Sequence, residues 1–100
     1  MDITGIKGPH TPGREHLAHW AHNQLLIAGT ILDNPGGGLL FATQTMGQVR
    51  AALEESGEER FREPIRLLAE AEGVAIRREF KRSLDLVRQV ALTLGALDQQ

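Results

Sequence analysis

The chain has no cysteine and only four aromatic residues, Trp20, Phe41, Phe61 and Phe80. Without cysteine there is no disulfide framework and no thiolate metal centre, which suits a reducing, cytoplasmic setting. Few aromatics leave the core to Leu, Ile, Val and Ala. No apolar run approaches the roughly 20 residues that a membrane helix needs. The opening Met-Asp-Ile-Thr-Gly lacks the basic and apolar regions of a signal peptide. A dominant charge sign is also missing: 11 Lys and Arg face 13 Asp and Glu, for a net charge of −2. Near-neutrality gives no general reason to expect nucleic acid as a partner. The expectation is a cytoplasmic protein with no membrane span and no cofactor.

At 100 residues the chain is one domain, residues 1–100. Small domains bury a modest share of their surface, and a homodimer would offset that weakness. Charge is unevenly spread. Between Glu15 and Arg50 the only charged residue is Asp33, whereas from Arg50 onward acids and bases interleave densely. Interleaving of that kind marks exposed, ion-paired helices.

The most informative stretch runs from Leu25 to Thr45. An apolar run, Leu25 to Leu32, meets the turn-forming Asp33-Asn34-Pro35-Gly36-Gly37-Gly38, and a second apolar run follows from Leu39. Two such runs around a glycine-rich connector read as a β-hairpin. Gly29 inside the first run reads as a bulge or a close backbone approach. Before the hairpin, Thr11 and Pro12 can start a helix whose body is Arg14 to Asn23, with Leu17, Trp20 and Ala21 on one face. At most a short strand fits at Asp2–Lys7.

After it, Thr45 can cap a helix from Met46 to Ser56, with Met46, Val49, Ala52 and Leu53 as its apolar stripe and Gly57 closing it. Phe61, Ile65 and Leu68 define a further helix with Pro64 in its first turn and Gly73 as its stop. Val74, Ile76, Arg78 and Phe80 alternate like an edge strand. Ser83 then caps a last helix carrying Leu84, Val87, Val90, Ala91 and Leu94, with Gly95 as terminator. The expected fold is α+β: a hairpin at about 25–45 packed by helices. Residues 58–100 either complete that fold or form a helical extension.

Three segments together, Arg14 to Trp20 with His16, Leu25-Leu26-Ile27-Ala28-Gly29-Thr30-Ile31-Leu32-Asp33, and Gly37 to Phe41, resemble the YCII-like family over residues 14–56. Thr30 stands where that family usually has proline. The resemblance implies a ferredoxin-like βαββαβ unit that pairs into a dimeric α/β barrel, with a cleft holding a His–Asp pair. His16 matches the family histidine and Asp33 the aspartate.

Three functional readings follow. In the first, His16 moves a proton on a small substrate while Asp33 orients it, in isomerase, lyase or hydrolase chemistry; otherwise Asp33 is turn chemistry and His16 a solvated helix residue. In the second, two of His16, His19 and His22 join Asp33 or His10 around a divalent ion, although the three fan across about a third of a helix circumference. In the third, the chain is a non-catalytic dimerising or ligand-binding module, supported by its apolar first half. The basic cluster Arg77-Arg78-Lys81-Arg82 is interleaved with Glu79 and Asp85 and reads as an ion-paired surface. Gly36-Gly37-Gly38 fits no phosphate-binding fingerprint.

Overall fold

Leu17, Ala18, Ala21, Leu25, Ala28, Gly29 and Leu32 are all buried, and their spacing of three and four residues is that of one helix face. They belong to α1, Leu17–Asp33, of the computed structural model, which describes residues 16–34 and 36–99. Three further helices follow: α2 (Leu39–Ser56), α3 (Arg62–Ile76, entered by a 3-10 turn at Glu59–Phe61) and α4 (Phe80–Asp98). There is no strand among the described residues.

The expected ferredoxin-like α+β fold is therefore corrected to an all-helical, four-helix bundle. The Leu25–Thr45 hairpin is instead the second half of α1, a short connector and the start of α2. With no strand to pair, there is no α/β barrel either. The physical reason lies in Leu25-Leu26-Ile27-Ala28: Leu25 and Ala28 are buried, while Leu26 and Ile27 are each 49% exposed. An unbroken apolar run predicts a strand in a sheet covered on both faces. It is a helix whose outer face is apolar as well. The turn residues Asp33, Asn34 and Gly36 to Gly38 do fall at a chain reversal, but one that joins helices. Gly36 takes φ +48° there.

Each helix packs on its chain neighbour, and α1 also packs on α4, so the four close into a ring. The cross-helix contacts run in opposite directions along the α1–α4 pair. His19 meets Asp98 near one end of the α1–α4 seam, and Gly29 meets Leu84 and Val87 near the other. Ser83 donates to the Ala71 carbonyl at 2.9 Å across the α3–α4 seam. Short connections of this kind make antiparallel neighbours. The core holds Leu25, Met46, Leu53, Phe61, Leu68 and Leu94, all fully enclosed. Each contributes about 1.5–3 kcal/mol by leaving water. None of the four helices receives a side-chain bond at its N-cap, so packing rather than capping sustains them.

Several expectations hold. Met46, Val49 and Leu53 form a buried stripe closed by Gly57 in the left-handed region at φ +68°. Pro64 lies in the first turn of α3, and Leu84, Val87, Val90, Ala91 and Leu94 are the buried face of α4. Others are overturned. Thr45 and Ser83 are buried inside α2 and α4 rather than capping them. Gly73 and Gly95 lie within α3 and α4 rather than ending them. The alternation from Val74 to Phe80 is the end of α3, a tight turn and the start of α4. That turn is a Schellman closure: Glu79 N–H bonds the Val74 carbonyl at 2.9 Å and Arg78 N–H the Ala75 carbonyl at 2.9 Å. Arg78 supplies the left-handed residue at φ +66°, where glycine is usual. The strand at Asp2–Lys7 and the helix start at Thr11 lie outside the described residues.

Candidate functional site

His16 immediately precedes α1 and Asp33 is its last residue. Seventeen residues at about 1.5 Å each separate them by roughly 25 Å along one axis. Both are exposed. The pair expected to share a cleft is therefore held apart within one chain, at opposite ends of a rigid helix.

A different histidine finds a carboxylate. His19 Nδ1 donates to Asp98 Oδ2 at 3.0 Å, and Asn23 Nδ2 donates to His19 Nε2 at 3.1 Å. Asp98 is the last residue of α4, where a carboxylate opposes the helix dipole. The imidazole from α1 offsets that and ties the two helix ends together. The sequence carried no sign of the pairing, because the two lie 79 positions apart and only the ring closure of the bundle brings them together. A carboxylate–imidazole pair can carry protons. The His19 side chain is 60% exposed, however, so a substrate held there would stay in water.

His22 is spent on structure. Its Nδ1 donates to the Ala91 carbonyl at 2.6 Å, and its ring lies against Gly95, where a Cβ would meet the ring's Cε1 at 3.0 Å. Gly29 plays the matching part on α1 opposite Leu84 and Val87. The close approach that the sequence suggested at Gly29 is thus a helix seam, not a strand bulge. His16, His19 and His22 do not gather around a common point. Among the described residues no group of three or more His, Asp or Glu side chains could hold a metal ion; His10 lies outside those residues.

The surface divides sharply by charge. On α3, α4 and the far side of α2 many of the ionic groups are paired within the chain. Arg50 reaches across from α2 to Glu72 of α3 through Nε at 2.5 Å and Nη2 at 3.3 Å, and along α2 to Glu54 at 3.3 Å. Arg66 pairs with Glu63, Arg77 with Glu79, and Arg82 with Glu70 at 2.9 Å. The hydrogen bond from Arg66 holds the Glu63 carboxyl below the ordinary glutamate range. In the basic run at 77–82, Arg77 and Arg82 are thus ion-paired as the interleaved acids suggested, Arg82 to both Glu70 and Glu79.

The α1–α2 half is the opposite. From Leu17 to Val49 the only charged side chain is Asp33. Leu26 and Ile27 are each 49% exposed, Phe41 is 55% and Leu40 is 69% exposed. At about 100° per residue, Trp20, Ile27 and Ile31 share the flank of α1 turned away from His22, and His22 faces α4. That flank adjoins α2. Phe41 lies on α2's side away from Gly47, which neighbours Glu72 of α3. Ile27 and Phe41 therefore border one seam, with Trp20 and Ile31 half-buried beneath it. Asn23, Thr30, Gln44 and Gln48 are its exposed polar companions, and none carries charge.

Among the described residues, no helix is long and apolar enough to cross a membrane. Comparison with protein-family models, with characterised proteins and with solved structures finds no match to this chain. The class defined here is accordingly structural: a small antiparallel four-helix bundle with one charge-free, partly apolar face. The all-helical fold departs from the barrel that the YCII-like resemblance implies.

Proposed function

We propose that this chain is a non-catalytic protein-binding module whose contact surface is the outer face of α1 and α2. The observation that carries the reading is the exposure of Ile27 and Phe41 on the two sides of the α1–α2 seam, with Leu26 and Leu40 exposed farther out on the same two helices and no Lys or Arg between Leu17 and Val49. Large apolar side chains left in water on neighbouring helices mark an interaction site. Interface cores are depleted of charge and enriched in aromatic side chains, as this face is. A cytoplasmic setting is part of the same proposal and rests on the lack of cysteine.

The test uses an uncharged, polarity-sensitive dye such as Nile red with the folded chain at sub-micromolar concentration. Dye fluorescence is expected to rise on the wild type. It should fall at least about threefold in Phe41→Glu and Ile27→Glu, with helical circular dichroism retained, because one buried-type apolar contact is worth about 1.5–3 kcal/mol. No enhancement on the wild type, or enhancement untouched by both changes, would reject the surface.

A further inference from the structure

Resting on that reading, we infer that the occupant of the α1–α2 face is a second copy of this chain, packed face to face about a two-fold axis. Charge is the main argument. A nucleic acid, an acidic peptide or an anionic lipid surface needs cations opposite it, and between Leu17 and Val49 there is no Lys or Arg. A basic partner needs more than the one carboxylate, Asp33, which sits at the end of α1. What matches an uncharged face of Leu, Ile and Phe edged by Asn, Thr and Gln is another uncharged face of the same make. A two-fold axis supplies one by construction, since each patch then meets itself. On the other half of the molecule charges of both signs are dense and several are already paired within the chain, and two such hydrated surfaces brought together would lose their hydration for little gain.

The uncharged part of the face, about 26 Å of α1 and about 16 Å of α2 set 8–10 Å apart, spans roughly 400 Å², about half of one partner's share of a standard interface and the size of a weak, concentration-dependent one. Trp20, Ile27, Ile31 and Phe41 lie along the seam between those helices, where the aromatic and aliphatic anchors of an interface concentrate. Asp33 and its two-fold mate stay at the rim, where water screens them.

Sedimentation velocity of the full chain, from about 1 to 500 µM, reads the proposal directly. The expected result is a rise from the 11.0 kDa monomer toward twice that mass. Ile27→Glu and Phe41→Glu, each tested separately, should weaken the dimer at least about 30-fold. Leu92→Glu, which changes a 74% exposed position on α4, should leave it unchanged. Should a variant misfold, amide chemical shifts of the wild type serve instead. On concentration they should move in residues 23–31 and 40–48 and stay fixed in 81–93. A monomer at every concentration overturns the inference, as does a dimer indifferent to both substitutions or shifts confined to 81–93. Dye binding that survives alongside a strictly monomeric chain would leave the binding face standing and remove only its self-pairing. Loss of both removes both.

Discussion

Two glycines face the α1–α4 seam, and replacing each by alanine should move stability in opposite directions. Inside a helix, Gly→Ala gains about 0.8–1.0 kcal/mol from backbone entropy. At Gly29 the added methyl would lie 3.5 Å from Leu84 Cδ1 and 3.8 Å from Val87 Cγ1, which is ordinary contact. Gly29→Ala should therefore keep the whole gain, close to 1 kcal/mol, and raise the melting temperature by about 4–8 °C. At Gly95 the methyl would sit 3.0 Å from Cε1 and 3.1 Å from Nδ1 of His22. The ring cannot retreat freely, because it is partly buried and its Nδ1 holds the Ala91 carbonyl at 2.6 Å. Overpacking of this sort costs about 1–3 kcal/mol, so Gly95→Ala should end about 1 kcal/mol below the wild type despite the same entropic gain. The assay is urea and thermal unfolding followed by circular dichroism, with all chains at one concentration so that self-association does not bias the comparison. In a His22→Ala background the penalty should vanish and Gly95→Ala should become stabilising. The seam as described is refuted if Gly29→Ala destabilises by more than about 1 kcal/mol, the low end of an overpacking cost. Equal stabilisation by both single changes would refute the His22–Gly95 contact.

Arg78→Gly should raise stability by about 1 kcal/mol, since it removes a side chain from the left-handed conformation at φ +66° that closes α3; an unchanged or lower melting temperature counts against the Schellman turn. The Glu63 carboxyl is held below the ordinary glutamate range by its hydrogen bond from Arg66. Its stabilising contribution is therefore present above the unfolded-state value and lost as pH falls through the lowered folded-state value. Carbon-13 titration of the Glu63 side chain should show a midpoint below that of a free glutamate and a rise toward it in Arg66→Gln, and an identical midpoint in both chains would exclude the pairing.

The C-terminal half of the chain was legible because its helices obey the usual division of faces. Leu84, Val87, Val90, Ala91 and Leu94 are inside, Lys81, Arg82, Asp85 and Arg88 outside, and the period of the pattern is plain. Glycine was the less dependable marker. Gly57 ends α2 in the left-handed region as expected, but Gly29 and Gly95 sit mid-helix because a second helix comes close. Thr45 and Ser83, which look like caps, are used for burial instead, and Ser83 bonds a carbonyl of the neighbouring helix. The end of α3 could not be seen for a related reason: its closing left-handed residue is Arg78, whose side chain gives no hint of that conformation. As for the site, the sequence marked histidines and a lone aspartate without their partners. His19 meets Asp98 only because the first and last helices are neighbours, a fact of topology that no local spacing carries.

The largest error and the functional proposal share one cause. Leu26, Ile27, Leu40 and Phe41 erased the polar face by which α1 and α2 would have been recognised as amphipathic helices, so both segments read as strands covered on two sides. In the folded chain those residues stay about half exposed or more. A solvated helix position tolerates Lys, Glu, Gln or Arg at no loss of helix propensity, and each of these would have lowered the exposed apolar area. The bundle alone does not require large apolar groups at four outward positions, since its core is already closed by Leu25, Ala28, Leu32, Ala42 and Met46 on the opposite sides of the same two helices. A requirement from outside the chain's own core accounts for them. Charge narrows that requirement to an uncharged apolar surface, and a second copy of the same face is the partner we propose for it.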